Sequence, residues 1–262
     1  MLVGMSGQVR NLLFATACTF FPVSHAAAAA LEDVIVRVKP SIVVVGTFEQ
    51  LRNPQFQFRG TGFVVGDGTL VATNAHVIPD VIDSSKLESI AIVIPATDAE
   101  AAQRREARVL NIDREHDLAT LRISGPALPA LTLAQNGNVR EGQSTAFTGF
   151  PIGPVLGLVP VTHRASVSAI TPIAIPSTFS GQLNERVVRQ LQSGAFRVLQ
   201  LDGTAYPGNS GSPLYDAGSG EVIGVLNMVF IKTTKEAILS QPSGISFAMP
   251  VEHLRKLLEP TR

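Results

Sequence analysis

Ser210 lies in the stretch Gly203-Thr204-Ala205-Tyr206-Pro207-Gly208-Asn209-Ser210-Gly211-Ser212-Pro213-Leu214, where small residues on both sides leave its hydroxyl uncovered and the neighbouring amides free. A serine hydroxyl is a poor nucleophile near neutral pH and needs a base within hydrogen-bond reach, with a third group to orient that base. Acyl chemistry also needs donors for the developing oxyanion. A tight turn at Pro207-Gly208-Asn209-Ser210 could aim the Gly208 and Ser210 N–H groups into one pocket, as a tetrahedral intermediate requires. The same residue types also make an ordinary glycine-rich turn carrying a solvated serine.

Two upstream segments supply the missing groups. In Gly60-Thr61-Gly62-Phe63-Val64-Val65-Gly66-Asp67-Gly68-Thr69-Leu70-Val71-Ala72-Thr73-Asn74-Ala75-His76-Val77-Ile78 a β-hairpin with an Asp-Gly turn runs directly into a histidine. His116-Asp117-Leu118-Ala119-Thr120-Leu121-Arg122-Ile123 places an aspartate at the head of an alternating strand. Singly, His76 reads equally well as a buried structural histidine and Asp117 as a strand cap. In the order His, Asp, Ser they form a much rarer conjunction, with chemistry in common.

Thr73-Asn74-Ala75-His76-Val77, Asp117-Leu118-Ala119-Thr120-Leu121 and Gly208-Asn209-Ser210-Gly211-Ser212-Pro213-Leu214 resemble the three active-site blocks of trypsin-like serine proteases. Within that superfamily they are most similar to the HtrA/Deg proteases of bacterial cell envelopes. Gly244-Ile245-Ser246-Phe247-Ala248-Met249-Pro250-Val251 resembles the last strand and helix start of that protease domain, so the resemblance runs from about Leu31 to about Glu259. It implies an all-β fold of two six-stranded antiparallel barrels with a short C-terminal helix. It also implies acyl transfer to water through an acyl-enzyme. Ser210 would attack a peptide carbonyl, His76 would move the proton, and Asp117 would fix the imidazole tautomer. Gly208 and Ser210 amides would form the oxyanion hole. By the same resemblance the substrate pocket would be lined by Thr204, Asn227, Met228, Val229, Gly244 and Ser246. Thr204 carries no charge where a trypsin-like pocket needs an acid, and Val229 adds bulk, so a small or medium aliphatic residue is expected on the acyl side of the cleaved bond. Asp202 is the alternative pocket acid, although the strand before the loop should direct it away. Three features depart from the HtrA/Deg pattern: Ser212 replaces a usual glycine, Tyr206 a usual asparagine, and no residues remain for a C-terminal PDZ domain.

The elements that must hold these residues read as many short strands. The 262 residues are 45% hydrophobic and 16% charged, enough for a sizeable core in one or two domains, and 22 Gly with 17 Pro favour β-structure over βαβ units. A helix is expected over Leu31 to Val38, with Glu32 and Asp33 in its first turn and Pro40 ending it. Strands are expected at 41–47, 61–65, 70–73, 90–94, 107–112 and 117–123, with a polar loop over Gln50 to Arg59. The segment 126–138, with Pro, Gly and Asn near its ends, reads as the crossing between barrels. The second half offers strands at 144–150, 161–170, 196–201, 213–215, 222–229 and 244–248, an insertion at Ser177 to Gln192 with a short helix at Asn184 to Leu191, and an amphipathic helix over Val251 to Leu258 on the outside of the second barrel. The organisation is therefore residues 1–30 as a signal peptide, 31–133 carrying His76 and Asp117, and 134–262 carrying Ser210.

Residues 1–30 read as a targeting signal. Arg10 is their only charged side chain, Leu12 to Val23 is apolar, and Ser24-His25-Ala26 is followed by further alanines. A retained anchor and a lipoprotein at Cys18 are the alternatives. Cys18 is the only cysteine, so a cleaved, exported chain would hold together without disulfides. That fits the bacterial periplasm or secretion.

Twenty-one basic residues against 21 acidic ones, with no basic run, argue against nucleic acid and anionic membrane as partners. Protein or peptide substrates are expected, with homo-oligomers open. No His/Cys/carboxylate spacing suggests a metal, and no cofactor is implied. His116 should point to the opposite face of the strand from Asp117, and His163 and His253 should lie on the surface. An α/β-hydrolase would need a G-x-S-x-G elbow with its histidine downstream, but position 212 is Ser and only His253 follows Ser210. The competing function class is a catalytically silent or zymogen-like envelope protein of the same fold, acting by binding or as a chaperone.

Overall fold

The computed structural model describes residues 30–135, 138–155, 157–172, 196–227 and 244–259. Its order is helix α1 (Leu31–Val38), strands β1 (Ile42–Phe48), β2 (Phe56–Val65), β3 (Leu70–Thr73), β4 (Ser89–Ile94), β5 (Gln103–Asp113) and β6 (Leu118–Ile123). Then follow β7 (Ser144–Gly149), β8 (Val161–Pro172), β9 (Arg197–Leu201), β10 (Pro213–Asp216), β11 (Val222–Asn227), β12 (Ser246–Pro250) and helix α2 (Val251–Leu258). Every strand pair is antiparallel, and the strands close into two six-stranded barrels ordered β1-β2-β3-β6-β5-β4 and β10-β11-β12-β9-β8-β7. This is the all-β, two-barrel fold the sequence led us to expect.

The uninterrupted apolar run at Ile42-Val43-Val44-Val45 has a structural cause. Val43 and Val45 fill the first barrel with Val64, Val71, Ile92 and Leu121. Ile42 and Val44 face the other way and join Phe63, Leu118, Phe147 and Leu214 in the core shared with the second barrel. Successive side chains point to opposite faces, so a strand lying between two cores must be apolar at every position. The strand β5 borders solvent on one face and alternates accordingly.

The segment between barrels is tied to both. Leu128 N–H and Leu131 N–H donate to Gly68 and Val64 carbonyls of the first barrel, and Ala134 N–H donates to Val222 of the second. The two helices also cross over. Val34 of α1 is buried beside the β10–β11 turn, where a Cβ on Gly220 would come 3.1 Å from Val34 Cγ1, and Arg37 donates to Ser219 O. Helix α2 packs on β5 and β6 as well as on β11 and β12, and Asn111 Nδ2 of β5 donates to Leu257 O. It therefore clamps the two barrels together instead of lying on the second alone, because its apolar stripe of Val251 and Leu254 faces the seam.

Several other expectations change. Phe56 to Arg59 belong to β2, with Phe56 and Phe58 packed inward, so the expected loop is shorter. Asp117 precedes β6 in a turn with φ +53, so strand alternation does not govern His116. His116 is half-buried, bonded through Nδ1 to Asp113 Oδ2 at 2.6 Å and stacked on His253 with ring centroids 3.8 Å apart. Burial and the neighbouring His116 push the His253 imidazole down to about 4. His163 stacks on Phe147 and is likewise lowered by burial. None of the three is a surface histidine: each fills the rim of a core with a flat ring. The expected signal peptide (1–29 of it), the insertion at 177–192 with its helix at 184–191, and residues 228–229 lie outside the described residues.

Candidate active site

His76 is presented by a single 3-10 turn, Ala75–Val77, that follows β3 directly. Ala75 and Val77 are buried and anchor the turn, which leaves the imidazole one-third exposed at its mouth. Asp117 stands opposite, in the β5–β6 turn. Its left-handed backbone is held by two donors, Ala75 N–H and Asn74 Nδ2, both on Asp117 O. Asp is among the few residues that tolerate this conformation, because its short side chain satisfies local donors.

The Asp117 carboxylate is satisfied on both oxygens. Oδ1 accepts the His76 backbone N–H at 2.9 Å, and Oδ2 meets His76 Nδ1 at 2.6 Å and accepts from Asn227 Nδ2 at 2.8 Å. A carboxylate oxygen can only accept here, so the proton of the neutral imidazole sits on Nδ1 and the lone pair on Nε2. That tautomer is the one a general base requires. Asn227 was expected to line the substrate pocket, and its amide instead turns toward Asp117. Sequence gave no sign of this, since Asn227 ends β11, 110 positions from Asp117.

Ser210 joins this group from the second barrel. Its carbonyl accepts Thr61 N–H at 2.9 Å, and Gly211 N–H donates to Leu226 O, beside Asn227. Gly60 marks how close the two barrels come: a Cβ there would lie 2.8 Å from Val77 Cγ2 and 3.0 Å from Ser210 O. Gly211, with φ +86, is fixed by the same crowding, since its Cβ would stand 2.1 Å from Thr61 O. Among the described residues Ser210 Oγ makes no hydrogen bond to His76. In unliganded sites this contact is commonly long and tightens with substrate.

The turn before Ser210 has the type II pattern: Asn209 N–H returns to Tyr206 O at 2.9 Å, Pro207 sits second, and Gly208 sits third with φ +102. Pro207 O accepts from Ile152 N and Asn209 O from Ser212 N. In a trans peptide the N–H points opposite to the C=O, so tying those two carbonyls outward turns the Gly208 and Ser210 N–H groups inward. Neither N–H has an acceptor among the described residues.

Of the other pocket candidates, Ser246 is buried. Its Oγ donates to Gly203 O and accepts from Ala205 N–H at 3.1 Å, pinning the loop that carries Thr204. Gly244 has φ +68 with open space where a Cβ would point. Met228 and Val229 lie outside the described residues. Asp202 is engaged elsewhere, by Ser166 N–H and Ser166 Oγ, and those bonds hold its carboxyl below the usual range. Among the described residues no cluster of three His, Cys, Asp or Glu side chains is placed to hold a metal ion.

Comparison with known proteins points in the same direction. Residues 60–225 match the family model described as a trypsin-like peptidase domain. The chain is 32% identical over 235 residues to the mitochondrial serine protease HTRA2 of Bos taurus, covering 87% of this chain and 42% of that one. It is 26% identical over 193 residues to a DegP-like protein of Halomonas elongata, named a periplasmic serine endoprotease, covering 74% of this chain and 33% of the other. The chain spans about two fifths of the length of the first curated relatives it matches. Among solved structures, that of Deg5 shares the fold with a TM-score of 0.59 at 24% identity, covering 86% of this chain and 90% of its own.

Proposed function

Because the chain belongs to the trypsin-like peptidase family and is similar within it to HtrA proteases, we propose that it is a serine endopeptidase using Ser210, His76 and Asp117. The observation that carries this reading is the 2.6 Å contact of His76 Nδ1 with Asp117 Oδ2, next to a serine turn whose Gly208 and Ser210 N–H groups have no acceptor among the described residues. Ser210 Oγ attacks the peptide carbonyl as His76 Nε2 takes its proton, and the same proton then goes to the leaving amine. Asp117, steadied by Asn227, stabilises the imidazolium and keeps Nε2 aimed at the serine. Water repeats the sequence on the acyl-enzyme. The inward amides of Gly208 and Ser210 hold the oxyanion of both tetrahedral intermediates, a contribution of several kcal/mol, about 3 to 4 for each donor.

The substrates in this reading are unfolded proteins, cut after small or medium aliphatic residues. Support for the pocket part comes from the engagement of Asp202, the carboxylate close to Thr204 in sequence, by Ser166. Residues 1–30 serve as an export signal to the envelope. The periplasmic designation of the Halomonas elongata relative supports that location. Among the described residues no helix is long and apolar enough to cross a membrane.

A catalytically silent protein on the same fold is the second reading, favoured by the missing Ser210–His76 hydrogen bond. A fluorophosphonate probe separates the two. Stoichiometric labelling of the wild type, abolished in Ser210→Ala, is expected for the peptidase; an unlabelled wild type that is folded and binds casein without cutting it favours the silent protein. Mass spectrometry of β-casein fragments tests the pocket, and dominant cleavage after Lys or Arg would overturn that part.

A further inference from the structure

The turn that carries Ser210 is held from outside itself at three carbonyls. Pro207 O accepts from Ile152 N–H at 2.6 Å, Gly208 O from Thr61 Oγ1 at 2.7 Å, and Ser210 O from Thr61 N–H at 2.9 Å. Two of these three bonds come from Thr61, a fully buried residue of the first barrel, whereas the turn belongs to the second. The direction of the hydroxyl proton is settled by its surroundings. Phe150 N–H donates to Thr61 Oγ1 at 3.1 Å, so the hydroxyl accepts there and its proton goes to Gly208 O. The backbone carbonyl of Thr61 is occupied as well, by Thr73 Oγ1 at 2.7 Å. The side chain therefore has one rotamer and one hydrogen-bond pattern.

We infer that Thr61 is the positioning residue of the oxyanion hole, its hydroxyl locking the Gly208–Asn209 peptide in the one orientation that leaves both flanking N–H groups facing the reacting carbonyl. The physical reason is the geometry of adjacent peptides. A type II turn and its type I counterpart differ by a rotation of the central peptide, and glycine at the third position opposes that rotation little. If Gly208 O loses its donor, the Gly208–Asn209 peptide keeps only the Asn209 N–H bond to Tyr206 O, and the Ile152 bond alone holds the carbonyl of the peptide before it. A flipped Pro207–Gly208 peptide would put a carbonyl where the oxyanion must sit. Thr61 thus acts on the transition state while touching neither substrate nor the proton path. It also links the barrels: the hole is completed by a side chain from the domain that supplies His76 and Asp117.

This assignment rests on the peptidase reading above, and its test uses the full chain with Ser210→Ala as a parallel control. Thr61→Val keeps shape and removes the hydroxyl; Thr61→Ser keeps the hydroxyl and removes the methyl. Steady-state hydrolysis of fluorescein-labelled casein and inhibition by a peptide boronic acid, which forms a tetrahedral adduct, give the readouts. Removing a hole donor outright typically lowers kcat by about 100-fold or more. Here the donors remain and lose only their orientation, so Thr61→Val should lower kcat about 10- to 100-fold with KM within about threefold. Affinity for the boronic acid should fall by the same factor as kcat, and affinity for the product peptides should hold. Thr61→Ser should stay within about threefold of wild type on all counts. Wild-type kcat and boronate affinity in Thr61→Val, with Ser210→Ala inactive, would remove Thr61 from the mechanism and leave the peptidase standing. Equal losses in both variants that follow a lowered Tm would mean that packing is the cause, and would also overturn the assignment. Full turnover in Ser210→Ala would dismiss both readings together.

Discussion

His253→Phe should make the protein more resistant to acid. His253 sits on α2, stacked on His116 from the β5–β6 turn, with Phe196 edge-on at 6.1 Å and a side chain only 11% exposed. Burial is the largest reason its proton affinity drops, to about 4 from 6.5, and His116 and Lys256 add to it while Glu252 and Asp113 oppose. The unfolded chain therefore binds a proton near pH 6.5 and the folded one only near pH 4. Between those values the unfolded state carries more protons, so stability is full above about pH 6.5 and is lost as pH falls toward 4. Two and a half units at about 1.4 kcal/mol each give at most about 3.4 kcal/mol, of which about 2 kcal/mol is already gone at pH 5.0. For a domain of this size that is roughly 4–8 °C in Tm.

Phenylalanine keeps a flat ring against His116 and does not titrate. Urea unfolding at pH 7.5 and 5.0 should show wild type losing about 2 kcal/mol more than His253→Phe between the two pH values. His163, also lowered by burial, is present in both proteins and cancels in the difference. Asp113 and Asp216 are held below the ordinary carboxylate range and release their contribution at lower pH. Equal acid losses in the two proteins would refute the burial argument for His253.

Three further outcomes follow from the site. His76→Ala and Ser210→Ala should each lower casein turnover by about 10⁴-fold, and the double variant should be scarcely worse, because the groups act as a unit; additive losses in the double variant would count against that unit. Asn227→Ala should lower kcat by about tenfold, since Asp117 Oδ2 loses the amide donor that lies 2.8 Å away, and an unchanged kcat would show that His76 alone orients the carboxylate. Gly149→Ala should destabilise by about 2–3 kcal/mol in urea unfolding, because the added Cβ would stand 2.0 Å from Ser212 Oγ, and Ser212→Gly in the same chain should recover part of that loss; strict additivity would mean that the two positions do not clash.

How much of this was legible in sequence depends on the range of the interaction. The hairpin before His76 could be read because its signals are local: Asp67 Oδ1 receives both the N–H and the hydroxyl of Thr69, two positions away, and Gly66 and Gly68 take positive φ. The strands could be read from alternation and apolar runs, and α1 and α2 from their stripes. Asp117 was found by its neighbours, yet its backbone was misjudged, because alternation says nothing of a residue in a left-handed turn just before the strand. The three histidines were misplaced for a related reason: His116, His163 and His253 are covered by elements remote in sequence, and a histidine ring suits either a core rim or water.

The least legible feature is the framework that shapes the oxyanion turn. The sequence marks Pro207 and Gly208 as a turn, but that pair of residues permits more than one peptide orientation. What selects one is Thr61, 147 positions from Gly208, together with Ile152 across the first turn after β7. A hydroxyl within Phe56–Val65 carries no local mark of that role, because Thr fits a buried strand by shape alone. The Ser212 departure has the same character. Alone it reads as a small residue near a nucleophile; in the structure its buried hydroxyl occupies the space beside Gly149 and has no hydrogen-bond partner among the described residues, so the two positions constrain each other across the β7–β10 pair. Short-range rules identify the candidate groups for chemistry, whereas the seam between two barrels decides how those groups are aimed.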